Sequence, residues 1–227
     1  AEVALANLGT VEAKQLLLAV CERGRDWAGA SRVAEQLQLQ GAGNYTQQRA
    51  HYFCEQKQFE AAIALSPNSP RAYLELAKQS APEQALDLLG LAAKKCPEAL
   101  SLLAVPLLQA AQTSEQKAAV VTLLANSYES TQSLDVLAAL ISAGWKDETA
   151  AYAAHLAQTQ SLVAASYLMQ TQGAAVTADT QAAVKRASEP LMRYRCAACG
   201  FESKQYFWQC PGCQAWDSYP FKRVEEL

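Results

Sequence analysis

No stretch of about 18 or more uninterrupted apolar residues occurs in the chain, so no transmembrane helix lies within it. Glycine is scarce, at 10 of 227 residues, while alanine, leucine and glutamine abound, and that is a helical bias. The formal net charge is only −3, which gives no footing for a general nucleic-acid or anionic-membrane binder. P-loop, HExxH and GxSxG motifs are all missing, and no catalytic constellation emerges from the residues that remain. The first residue is Ala1 rather than methionine, and the chain enters directly into repeat-like sequence. It therefore reads as a fragment or processed form, in which an upstream anchor or signal would be invisible.

Seven cysteines are present, but they are not spaced as a disulfide framework. Four crowd the C-terminal end, whereas Cys21, Cys54 and Cys96 stand alone on helical patterns. A reducing compartment is expected, with the three lone thiols serving as small buried hydrophobes.

Half of the chain is hydrophobic (51%), and 227 residues suffice for one large domain or for a repeat array plus a small module. From Val11 to about Pro190 the pattern is helix after helix, with no convincing strand. Helical spacing appears in Leu16 and Val20 and again in Val33 and Leu37, opposite a charged and glutamine-rich face. Breaks fall at Gly41–Gly43, Ser66–Pro70, Ser80–Pro82, Pro97, Thr113–Ser114, Gly144 and Gly173. Ser114 and Glu115 look like the lead-in to a helix, and Pro82 suits a first turn.

A repeat is visible. Trp27 stands three residues before Ala30, and Phe59 three before Ala62, followed by Pro67. The aromatic fills the gap between neighbouring helices, and the alanine lets two helices cross closely. Leu89, Ala92 and Pro97 repeat the offset in a degenerate third unit. At a period near ~34 residues the arrangement resembles tetratricopeptide repeats. A generic helical bundle is the alternative. The expected fold is all-α: residues 1–190 as a tetratricopeptide-like array, residues 191–227 as a separate small module joined with almost no linker.

That module starts where the alanine-rich texture stops and aromatics crowd in, with short β-prone runs flanking two cysteine pairs. Cys196 and Cys199 are separated by two residues, Cys210 and Cys213 likewise, with ten residues between the pairs. Such pairs bring two sulfurs of one tight turn to a single ion, so the four cysteines are expected to bind one metal in a closed, structural, tetrahedral site. Gly200 and Gly212 suit left-handed positions in those turns. Zinc leads, although the same thiolates accept iron, as in rubredoxin, which would imply electron transfer or redox sensing. Lys185, Arg186, Arg193, Arg195, Lys204, Lys222 and Arg223 bring positive charge nearby. Glu189, Glu202, Asp217, Glu225 and Glu226 interleave with it, so a solvated mixed surface is expected rather than a nucleic-acid face.

Other candidates have plain structural explanations. His51 and Cys54 share a helix face without a third orienting residue and read as a core pair. Gly41 and Gly43 lack the third glycine and preceding strand of a dinucleotide loop and read as a turn. His155 lacks metal-ligand spacing.

The segment Arg193-Tyr194-Arg195-Cys196-Ala-Ala-Cys199-Gly200-Phe201, with Tyr206-Phe207-Trp208-Gln209-Cys210-Pro211-Gly212-Cys213-Gln214-Ala215-Trp216, resembles the C-terminal rubredoxin-type domain of the lipopolysaccharide assembly protein B family. Residues 50–55 and the repeat around Trp27 resemble that family's tetratricopeptide region. The resemblance is weakest between Glu98 and Pro190. It implies a non-enzymatic adaptor of the Gram-negative inner membrane, its soluble part facing the cytoplasm. The implied partners are a membrane-bound ATP-dependent zinc protease, the lipid A pathway deacetylase whose degradation the adaptor promotes, and other lipopolysaccharide assembly proteins. It also implies metal-ligand roles for Cys196, Cys199, Cys210 and Cys213. The family's membrane helix and earliest repeats are not in this chain, and the divergent middle repeats leave no partner-contacting residue assignable.

Overall fold

A computed structural model describes residues 9–171 and 176–227. The expected break at Gly173 lies outside them. Twelve α-helices run through the described residues, and packing divides the chain into two compact units, Ala1–Cys96 and Pro97–Leu227. The change of texture at Pro190 falls inside the second unit.

The first unit holds α1 (Val11–Gly24), α2 (Trp27–Leu39), α3 (Thr46–Glu55), α4 (Phe59–Leu65), α5 (Pro70–Ala77) and α6 (Pro82–Lys95). They pack as the hairpins α1/α2, α3/α4 and α5/α6, each against the next. The caps follow from sequence chemistry: Thr10 and Asp26 side chains accept from the backbone N–H groups of Ala13 and Gly29. Pro82 occupies the first turn of α6, as expected. Gly41, at φ +73°, closes the α2–α3 turn, a conformation that a side chain would strain.

The repeated small residues lie where the helices cross. Ala30, Ala62 and Ala92 are fully buried, and Phe59 and Leu89 fill the spaces beside them. Trp27 stacks on Tyr52 of the following hairpin with ring centroids 5.9 Å apart. This is the stacking of helical pairs that defines a repeat array. Enlarging the crossing residue should therefore act by overpacking: Ala62→Leu is expected to destabilise this unit by about 1–3 kcal/mol in chemical denaturation. One detail of the apolar pattern is corrected. Leu16 points outward, 59% exposed, and the inner face of α1 is carried by Ala13, Leu18 and Cys21. The three lone cysteines are buried as expected, and Cys96 donates its thiol to the Asn68 carbonyl.

The second unit begins with α7 (Leu100–Ala110), α8 (Ser114–Thr131) and α9 (Leu134–Ser142), which pack on one another. α10 (Glu148–Thr159) and α11 (Leu162–Thr171) form a hairpin, against which α12 (Ala178–Ser188) packs. The cap of α8 is Thr113, one residue earlier than the Ser114 lead-in, in a reciprocal capping box with Gln116. A 3-10 turn (Glu189–Met192) leads directly into a two-stranded antiparallel sheet, β1 (Tyr194–Arg195) and β2 (Glu202–Ser203). An isolated bridge joins Gln209 and Trp216.

The helical core of this unit contains a buried histidine paired with a tyrosine. His155 is buried and its Nδ1 lies 2.7 Å from the Tyr128 hydroxyl. Burial pushes the imidazole below its ordinary value of 6.5, against a smaller opposing influence of Glu225. The unfolded chain then takes up a proton as pH falls through 6.5 while the folded chain resists, so stability is present above 6.5 and lost below it. The melting temperature is expected to fall more steeply between pH 7 and 5.5 in the parent than in His155→Gln.

Candidate metal centre

The two cysteine pairs build two turns of the same kind. In the first, Gly200 N–H donates to the Cys196 carbonyl at 2.9 Å, and Cys196 N–H to the Phe201 carbonyl at 2.9 Å. In the second, Gln214 N–H donates to the Cys210 carbonyl at 2.8 Å, and Cys210 N–H to the Ala215 carbonyl at 2.9 Å. N–H groups of Ala198 and Cys199 serve the Cys196 sulfur, and those of Gly212 and Cys213 serve the Cys210 sulfur. The residue after the second cysteine of each pair is left-handed, Gly200 at φ +78° and Gln214 at φ +62°. The expectation for Gly212 is thus corrected: the left-handed position belongs to Gln214. Gly212 matters for space instead, because a Cβ there would lie 3.3 Å from the Phe201 ring.

The structure brings together all four cysteines singled out from the sequence, with their sulfurs within 4.8 Å of one another. A tetrahedral ion holding thiolates at about 2.3 Å sets neighbouring sulfurs about 3.8 Å apart. Cys196 and Cys213 sulfurs are 3.8 Å apart, and Cys199 and Cys210 sulfurs 3.7 Å. The donor set therefore fits a metal ion, with four sulfurs filling all four tetrahedral positions.

The electrostatics agree. Burial raises the Cys196 thiol, but Ser218 and the two backbone N–H groups bring it down to about 6. Cys210 is likewise lowered against its burial by the N–H groups of Cys213 and Gly212. Cys199, despite the Phe201 N–H beside it, is pushed up to about 12 by desolvation and its three thiol neighbours. Clustered like charges of this kind call for a cation, which also drives off the remaining protons. Cys196 and Cys210 are buried while Cys199 and Cys213 are exposed, so the cluster opens to solvent on one face.

Under the sulfurs lies an aromatic core. Tyr194, Cys196, Cys210 and Tyr219 form its centre, with Tyr206, Phe207 and Leu102 of α7 packed against it. Tyr206 meets Tyr194 edge-on at 5.4 Å and stacks on Phe221 at 5.5 Å.

Residues 194–219 match the family model for the rubredoxin metal binding domain, the zinc ribbon of LapB. The C-terminal module is a LapB-type zinc ribbon. Comparison of the chain with curated proteins finds no match. The helical pairs preceding the ribbon fit a tetratricopeptide-type protein.

Sequence reasoning missed how the ribbon is attached. Arg223, just beyond it, makes a two-pronged ion pair with Asp135 in the first turn of α9, Nε to Oδ2 at 2.8 Å and Nη2 to Oδ1 at 2.9 Å. Tyr194 donates its hydroxyl to the same carboxylate at 3.0 Å, and the guanidinium lies 4.0 Å from the Tyr194 ring centroid. The next acidic residues cap two helices. Glu226 accepts from Leu134 N–H at 2.6 Å, and Glu225 accepts from Val163 N–H at 2.9 Å and from the Ser161 hydroxyl at 2.6 Å. Carboxylates at the N-termini of α9 and α11 satisfy free N–H groups and complement the helix dipoles. Ser101 of α7 adds a bond to the Phe221 carbonyl at 2.8 Å. Arg223, Glu225 and Glu226 are therefore a latch, not the solvated mixed surface expected of them.

None of the remaining candidates joins the four-cysteine cluster. His51 is fully buried, with Arg71 Nη1 3.5 Å from its Nδ1. Burial pushes the Cys54 thiol up to about 11, the opposite of an activated nucleophile. Gly41 and Gly43 form the turn described above, and His155 is held by Tyr128.

Proposed function

We infer that this chain is the soluble part of a LapB-type adaptor, a regulator of lipopolysaccharide synthesis that acts by holding partners rather than by catalysis. The observation that carries this reading is the LapB-type ribbon at residues 194–219, latched onto the helices of its own unit. Stacked helical pairs offer extended surfaces for a protein partner. A closed four-thiolate site supplies folding free energy to a module too small to fold by burial alone. In this reading the ion is a single zinc, and its work is to hold the ribbon and thereby the latch.

The partners are a membrane-bound ATP-dependent zinc protease and the deacetylase of the lipid A pathway, whose degradation the adaptor promotes. Other lipopolysaccharide assembly proteins join on the same scaffold. The protein works at the inner membrane of a Gram-negative bacterium, with these units on the cytoplasmic side. A reconstituted degradation assay tests this: the metal-loaded chain is expected to accelerate loss of the deacetylase in the presence of protease and ATP. An unchanged degradation rate, with no co-purification of either partner, would contradict the reading.

A further inference from the structure

A cleft of about 420 Å³ lies in the second unit between the helices and the ribbon. Its floor is Val163, Ser166 and Tyr167 of α11, its side wall includes Lys185 of α12 and Met192, and its roof is Lys204 and Arg223. Three cations, Lys185, Lys204 and Arg223, stand on a lining that is otherwise mixed polar and apolar. Lys185 and Lys204 make no ion pair with any described residue, whereas Arg223 is already held by Asp135. Among the described lining residues the one carboxylate is Glu189. Ser166 is only 6% exposed, yet its hydroxyl has no hydrogen-bond partner among the described residues. That hydroxyl oxygen is not itself buried, so it opens onto the cleft and is free to donate there. Among the described residues the Tyr167 hydroxyl donates only to the Met192 sulfur, a weak acceptor 3.9 Å away, and can turn to a stronger one.

We propose that this cleft binds a small oxyanion, a phosphate or carboxylate carried on a compact apolar body. Lys185 and Lys204 hold the charge from two sides, the Ser166 and Tyr167 hydroxyls donate to the remaining oxygens, and Val163 with Met192 covers the apolar part. The two walls come from different parts of the chain. The roof stays in place because Arg223 Nη1 donates to the carbonyls of Met192 at 2.7 Å and Lys204 at 3.3 Å. The cleft is therefore complete only while the metal-dependent ribbon is folded and latched, and oxyanion binding and metal occupancy reinforce one another.

Isothermal titration of the metal-loaded chain with phenyl phosphate, phenylacetate and inorganic phosphate tests this. One-to-one binding is expected for phenyl phosphate or phenylacetate, weaker for inorganic phosphate, which lacks the apolar body. Lys185→Gln and Lys204→Gln should each weaken binding about tenfold while the melting temperature stays unchanged. Removal of the metal should abolish binding. Absence of binding by both aromatic probes, equal binding by the lysine variants, or binding that survives metal removal would each overturn the proposal.

Discussion

Replacement of Cys196 and Cys199 together by serine is expected to leave the chain without bound metal and the ribbon unfolded. Two of four sulfurs would be lost, and two thiolates cannot close a tetrahedron. The aromatic core of the ribbon rests directly on Cys196 and Cys210. Structural zinc contributes on the order of 10–16 kcal/mol of apparent binding free energy to small metal-folded peptides at neutral pH. That is as large as the whole stability of an ordinary domain, about 5–15 kcal/mol, so no surrounding contact compensates for its loss. Metal content by elemental analysis and the near-ultraviolet signal of Tyr206, Trp208 and Tyr219 should fall together. α1–α6 lie in the other unit and should keep their helical signal. A ribbon that retains its aromatic signal without metal would show that Tyr194, Tyr206 and Phe221 suffice to fold it.

The second large effect is expected at the latch. Asp135→Ala should destabilise the second unit by about 3 kcal/mol, because it strands the Arg223 guanidinium and removes the acceptor of the Tyr194 hydroxyl. The pair is about a quarter exposed, with side-chain exposures of 20% for Arg223 and 24% for Asp135, so the lower end of the range for a buried pair applies. Arg223→Ala should have a similar effect, plus release of the Met192 and Lys204 carbonyls. The double variant should be far less damaged than the sum of the two, because each single change leaves a partner that the other removes. Additive losses in denaturant titrations would mean that the two residues act separately.

The ribbon was legible in the sequence because its chemistry fixes its spacing. Two residues between cysteines are what a metal-binding turn requires, and no packing context is needed to see it. Trp27, Ala30, Phe59 and Ala62 were legible for a related reason: small and aromatic residues recur where helices cross. Local rules failed where neighbours decide. Leu16 and Leu18 share hydrophobicity, and only the next helix determines which is covered. Thr113 and Ser114 are both competent caps, and the Gln116 side chain selects the first. Gln214 takes a left-handed conformation that composition would give to Gly212, because the turn demands it at the residue after the second cysteine. The latch had no local signature at all. Asp135 and Arg223 are 88 positions apart, and an interleaved row of Arg, Glu and Glu looks like solvated surface until two helix N-termini stand opposite it.

The most direct test follows hydrogen exchange at the Leu134 and Val163 amides while metal-free chain is titrated with zinc. Both amides donate to tail carboxylates, so they report the latch rather than the metal site itself. Protection should rise with added zinc and level off at one equivalent, in step with the appearance of the folded ribbon. Amides that are equally protected with and without metal would contradict the link between the four cysteines and the helices they are held to organise.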